Sequence, residues 1–208
     1  ACASSRCRLL LVEVVCEGVP SPHFVRKLDA HLNQKYGAGI AMIDYRYKDA
    51  RPLGKLRNGK ILKKDRWFNP FWSIWLNHLM SRPSCYACPF TTVDRGADIT
   101  LGDLWGVHLY CPELYGHNGG ASLIVCNTEK GKQVFCQAQA FLYGHALDFA
   151  TALKYQGPLH RHIPPNERRT EFMSDVRTLS YEEICKKWYG GPSWKLLWQK
   201  YVWGNRQK

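Results

Sequence analysis

The sequence predicts a mixed α/β fold of the α+β kind: a mixed β-sheet core with flanking helices and a helical, basic C-terminal tail. Three observations carry this. Short apolar runs of strand character alternate with longer runs of helical period. Cap and turn residues stand between them, where one element has to stop and the next begin. Beyond about residue 150 the pattern changes to polar-faced helices. The expected division is a body over residues 1–150 and a helical extension over residues 151–208 packed on it.

Taken in order, "LLLVEVVC" (9–16) reads as a largely buried strand, stopped by "GVPSP". Ser21 is a good N-cap with Pro22 in the first helical position, so a helix is expected from Pro22 to Tyr36, ending at Gly37. "IAMIDYRYK" (40–48) alternates as a strand should, and Asn58-Gly59 between two short runs signals a hairpin. "NPFWSIWLNHLM" (69–80) reads as a helix capped by Asn69, its aromatics serving as core. "ADITLGDLWGV" (97–107) reads as a strand broken at Gly102, and "GGASLIVCNT" (119–128) as another, with a helix after it. Two more helices follow in "PPNERRTEFMSDVRTL" and "SYEEICKKWY", the second opened by a Ser180–Glu183 capping box. The aromatic, basic "GGPSWKLLWQKYVW" reads as a terminal helix docked on the body.

The 208 residues suffice for one sizeable core or a core with an appendage. With 45% hydrophobic and 22% charged residues the composition is that of a globular protein. No run approaches the roughly 18 apolar residues of a membrane helix. The start shows neither a signal peptide's order of regions nor a Met, and reads as cut from something longer. The net charge is +12, and from Lys154 onward eleven Lys and Arg face five Asp and Glu. Such a balance suits an anionic partner, although a solvated basic surface is the simpler reading and no nucleic-acid motif accompanies the charge. Nine cysteines, an odd number in a chain of this size, argue against a disulfide framework and for a reducing cytoplasm. Cys126, Cys136 and Cys185 read as buried small hydrophobes.

Cys85 and Cys88 in "RPSCYACPF" are different. A Cys-x-x-Cys loop lets two thiolates converge on one metal, and Pro83 and Pro89 stiffen it. A zinc site needs four ligands, and no second pair completes one. A thioredoxin-type dithiol opens a helix, whereas Pro89 and "TTVDRG" follow here. An iron–sulfur cluster draws its cysteines from distant segments, and Cys16 at the end of a strand is a natural third. On spacing alone, cluster, zinc and no metal all remain open. A second constellation is "RGADITLGDLWG": Asp98 and Asp103 flank a strand, Gly102 and Gly106 admit a flat ligand to the backbone, and Trp105 could floor an isoalloxazine ring. It is no dinucleotide fingerprint. No G-x-S-x-G or H-E-x-x-H motif occurs, and His160 and His162 read as part of an exposed basic loop.

"VVCEGVPSPHFVRKL", "SRPSCYACPF", "RGADITLGDLWGV" and "GGASLIVCNTEKGKQVF" together resemble the C-terminal domain family of the coenzyme F-420 hydrogenase/dehydrogenase beta subunit, in its bacterial branch found beside polysaccharide-synthesis enzymes. The resemblance runs from about Leu9 to Phe141. It implies a flavin-dependent iron–sulfur oxidoreductase, a 4Fe–4S cluster on Cys16, Cys85 and Cys88, and FAD. The segments matching the flavin site contain Asp98, Thr100, Gly102, Asp103, Trp105, Gly106, Gly120 and Ser122. It also implies an N-terminal ferredoxin-like domain, absent here, or a ferredoxin-like electron donor in its place, and a small-molecule substrate. The fourth cluster ligand is not evident, since Cys2 and Cys7 do not sit in the family's context. Glu17 departs from the His that relatives carry after the strand cysteine. The rival expectation is a zinc-stapled or metal-free interaction module holding an anionic partner on its basic surface.

Overall fold

The computed structural model describes residues 9–44, 53–63, 68–114, 121–198 and 202. Its strands are β1 (Val12–Val14), β2 (Ile40–Asp44), β3 (Leu53–Leu56), β4 (Ile61–Lys63), β5 (Ile99–Asp103) and β6 (Ser122–Cys126). Its helices are α1 (Pro22–Tyr36), α2 (Pro70–Leu76), α3 (Val107–Tyr110), α4 (Glu129–Ala138), α5 (Phe149–Leu153), α6 (Gly157–His160), α7 (Arg169–Thr178), α8 (Tyr181–Trp188) and α9 (Trp194–Trp198). The fold is α+β, as expected. The chain forms two compact units, each built from two stretches: Ala1–Gly18 with Pro83–Ile163 (unit 1), and Val19–Arg82 with Pro164–Lys208 (unit 2). Residues beyond 150 thus contribute to both.

Unit 2 contains the antiparallel meander β2–β3–β4 and helices α1, α2, α7, α8 and α9. α1 starts at Pro22 and ends at Gly37, whose φ of 72° lets its N–H reach Asn33 C=O at 2.8 Å. Ser21 occupies the N-cap without a side-chain cap bond; its carbonyl instead accepts from Phe24 and Val25. The hairpin forms at Asn58-Gly59 as expected. Of the 40–48 strand, residues 40–44 are observed and the rest lies outside the described residues. Asn69 caps α2 through Phe71 N–H, but the helix stops at Leu76 rather than Met80. Asn77 folds its side-chain amide back onto Ser73 C=O, and His78 turns to a φ of 57°, which no helix continues. The core gathers Phe24, Phe71, Ile74, Leu79, Met80, Phe172, Val176 and Ile184, so the aromatics of α2 do serve as core. The capping box at Ser180–Glu183 is formed. Lys187 ties α8 to α7 through Glu171 at 3.0 Å and Asp175 at 2.7 Å, and Trp188 Nε1–H donates to Asp175 at 2.8 Å.

Unit 1 is a three-stranded sheet of order β1-β5-β6, with β1 parallel and β6 antiparallel to β5. Its hydrophobic cluster is Leu104, Leu123 and Ala152, flanked by Val107, Ala121, Val125 and Leu147. This cluster lies on the sheet face that carries Leu123 and Val125. Val12 and Val14 share the opposite face with Leu101 and Ile124 by register. That corrects the expectation of a buried first strand: β1 is a three-residue edge strand, and Val12 and Val14 are 50% and 65% exposed. β5 also runs unbroken through Gly102. The glycine serves strand packing, since a Cβ there would lie 3.2 Å from Val15. Cys136 is exposed rather than buried, while Cys126 and Cys185 are half-buried.

Candidate functional site

The strongest local order in unit 1 is a polar network that closes the sheet. Asp98 accepts from Leu11 N–H at 2.9 Å and Thr128 Oγ1–H at 2.7 Å, and pairs with Lys130 at 2.7 Å. These donors hold its carboxyl down at about 2. The Leu11 bond comes first among the causes. Thr100 donates to Glu13 at 2.9 Å and accepts from Asn127 Nδ2–H at 2.8 Å. Glu13 also holds the buried Arg95 guanidinium, which reaches on to Phe90 C=O. Gly131 opens the α4 turn against this network: a Cβ there would lie 2.2 Å from Asp98 C=O. Asp98 and Thr100, 6% and 0% exposed, therefore hold the fold together with their polar atoms.

Other residues that the sequence singled out gather at one end of the sheet. Asp103 closes β5 and faces Ser122, which opens β6. Trp105 is 41% exposed, and Gly106 turns the chain at φ 78° into α3. Because β1 and β5 are parallel, the residues leaving β1, Cys16 and Glu17, emerge at this end too. Burial pushes the Glu17 carboxyl up, the neighbouring Asp103 charge adds to this, and Arg161 opposes it. Gln156, wholly buried, donates weakly from Nε2 to Trp105 C=O at 3.5 Å, while its Oε1 has no hydrogen-bond partner. An unmet buried acceptor is costly, and a ligand N–H would satisfy it. Gln156 and Arg161 carry no local sequence signal: Gln156 lies 51 residues from Trp105, and Arg161 is still further along the chain from Glu17. Gly120 lies outside the described residues, as do Cys2 and Cys7.

The cysteine loop forms a 3₁₀ turn over Pro83–Ala87. Cys85 lies in this turn and Cys88 directly follows it; both are half-buried. Cys16 is exposed, and its Sγ accepts from Gly18 N–H at 3.3 Å, a reversal that Gly18 allows with a φ of 103°. The segments leading to Cys16 and Cys85 are in step. Pro20 bridges Ser81 antiparallel, Arg82 N–H donates to Val19 C=O at 3.0 Å, and each cysteine stands four residues from that bridge. No described cysteine is in a disulfide. The donors fit a cluster in type, as soft thiols with an amide on one sulfur. They are not gathered as a set: among the described residues, no three His, Cys, Asp or Glu converge into a metal-binding group. Two other cysteines differ, since burial pushes the Cys111 and Cys126 thiols up, as suits inert packing.

Among the described residues no helix is long and apolar enough to cross a membrane. The family model for the C terminus of the coenzyme F420 hydrogenase/dehydrogenase beta subunit matches residues 4–146. No curated protein matches the chain significantly.

Proposed function

Since the chain belongs to the family of the C-terminal part of the coenzyme F420 hydrogenase/dehydrogenase beta subunit, an oxidoreductase-type family, we propose that unit 1 is an electron-transfer module that holds a 4Fe–4S cluster beside a flavin, FAD in the family's pattern. A cluster exchanges single electrons, and a flavin converts them into hydride equivalents. The observation that carries this reading is that Cys16 leaves β1 at the sheet end where Asp103, Trp105, Gly106 and Ser122 lie. Cys16, Cys85 and Cys88 supply the thiolates. The Gly18 amide orients Cys16 and tempers its sulfur. Trp105, partly exposed, offers an aromatic ring beside the site, and Gln156 Oε1 offers an acceptor to a ring N–H. Asp98 and Thr100 act at a distance, by keeping β5 in register. The basic surface suits an acidic ferredoxin-like donor, and the cytoplasm suits exposed thiols.

The test is anaerobic purification followed by a visible spectrum and iron, sulfide, zinc and flavin analysis, alone and with Cys85→Ser and Gln156→Leu. The expected result is iron and sulfide in equal amounts, lost in Cys85→Ser, and flavin weakened in Gln156→Leu with the iron retained. A colourless protein, or zinc in place of iron, overturns the reading and leaves a basic interaction module.

A further inference from the structure

The chain leaves α8 through Gly190 and Gly191, the latter turned to a φ of 82°, and becomes helical again in α9 beyond Pro192. Ser193 C=O closes the first turn by accepting from Leu197 N–H at 3.0 Å. Trp194 and Trp198 stand four apart in this helix, which places them on one face. Trp194 is 81% exposed and Trp198 47%, although an indole is among the largest apolar surfaces a side chain offers. Trp72, Trp75 and Trp188 of the same unit are half-buried. The terminal helix expected from the sequence is present, but its tryptophans are not buried with the others.

The surrounding sequence carries charge of one sign. Residues 189–208 contain Lys195, Lys200, Arg206 and Lys208, and no Asp or Glu. They also contain Tyr189, Trp194, Trp198, Tyr201 and Trp203, so a quarter of the segment is aromatic against 13% of the whole chain. Lys195, next to Trp194, is exposed as well. Charge alone would suit any polyanion. The exposed indoles select among them. Trp and Tyr favour the bilayer interface, where the ring enters the headgroup layer with its polar end wet, and lysine stems run beside it to the lipid phosphates. Among the described residues no helix can cross a membrane, so the contact is with its surface.

We propose that Trp194 and Trp198, with Lys195 beside them, dock the C-terminal segment of unit 2 on the surface of a bilayer that carries anionic lipid. The indoles supply the apolar anchorage and the basic residues the attraction to the headgroups. Every residue involved belongs to unit 2, so this assignment stands or falls apart from the redox reading of unit 1.

Co-sedimentation of the full chain with unilamellar vesicles tests it. The protein is expected to sediment with mixed phosphatidylcholine/phosphatidylglycerol vesicles and to stay in solution with phosphatidylcholine alone. Trp194→Ala/Trp198→Ala should weaken the partition by about tenfold, since both indoles are removed. Lys195→Gln should weaken it by about fivefold, the effect of one charge near an anionic surface. Should the double variant fail to fold, Trp194→Ala decides alone, because that side chain is 81% exposed. Lack of vesicle binding, equal binding to phosphatidylcholine alone, or unchanged binding in the tryptophan variants overturns the proposal. Binding to duplex DNA in place of the vesicles overturns it too and assigns the basic segment to nucleic acid.

Discussion

In unit 2, seven apolar side chains meet with almost no exposure, six from four helices and Met80 from the segment after α2: Phe24, Phe71, Ile74, Met80, Phe172, Val176 and Ile184. Among the described residues the corresponding buried cluster in unit 1 is Leu104, Leu123 and Ala152, and the sheet beside it is closed instead by Asp98, Thr100, Glu13, Arg95, Asn127 and Lys130. The difference teaches how the two tasks diverge. Apolar burial is non-directional and scales with area, so it stabilises a helical body robustly. A buried polar network is geometric: each group must meet its partner, and in return it fixes strand register and the positions of what leaves the strands. Unit 1 is the one whose strand ends present Cys16, Glu17, Asp103 and Trp105, so that precision falls where a redox centre would need it.

The largest effect is expected from the apolar side. Phe172→Ala removes a ring packed 5.7 Å from Phe24 and 5.3 Å from Trp188, and should destabilise unit 2 by about 3–5 kcal/mol. Denaturant-dependent amide exchange checks it: α1 and α7 amides should lose protection while β5 amides keep theirs. Equal losses in both units would erase the distinction drawn here.

Next comes the polar side. Arg95→Met leaves Glu13 and Phe90 C=O without the buried guanidinium. A loss of about 3 kcal/mol is expected, near the lower bound for breaking a buried pair because Glu13 keeps some contact with water. The loss should be read at β1 and β5 amides. An unfolding midpoint within error of the parent would mean that the network does not hold the sheet.

Acid tests the polar network without a mutation and has no effect at neutral pH, so it ranks below both truncations; Glu171 of unit 2, which Arg168 and Lys187 also hold down at about 2, titrates over the same range and is followed as the reference. The Asp98 carboxyl is held at about 2 in the fold, against roughly 3.9 in an unfolded chain. Its contribution is therefore complete above about pH 4 and is lost as pH falls through about 2. Carbon-detected NMR titration of the Asp98 carboxyl, with the Leu11 amide followed alongside, is the check. A midpoint at the ordinary carboxylate value would remove Asp98 as the anchor of β1.

The smallest effect is local. Ser180→Ala removes the hydroxyl of the α8 capping box and should cost about 1 kcal/mol, visible as faster exchange at Glu183 N–H. An unchanged rate there would show that Glu183 alone holds the cap.

Elements with local causes are legible in the sequence. α1, the start of α2, the Asn58-Gly59 hairpin and α8 are set by caps, a proline and a turn dipeptide acting within a few residues. The Cys85/Cys88 turn and the group at Asp103, Trp105 and Gly106 are legible as motifs for the same reason. The roles of Asp98 and Thr100 are not. Their hydrogen bonds reach Leu11, Glu13, Asn127 and Thr128, and Asp98 pairs with Lys130, all brought from other segments, so the network could not be read from the residues near them.

By itself the sequence determined the short-range choices: where helices start and stop, which turn carries the paired cysteines, and which family the chain resembles. The helix ends and turns follow from backbone conformations and hydrogen bonds closed within a turn or two. Tertiary structure alone decided that residues 19–82 and 164–208 form one unit around a shared apolar core. It decided that the leucine- and valine-rich β1 is an exposed edge, and that Gln156 and Arg161 come to the sheet end beside Trp105 and Glu17. Burial, edge position and the neighbours of a charge depend on segments far along the chain, and no periodicity within one segment encodes them.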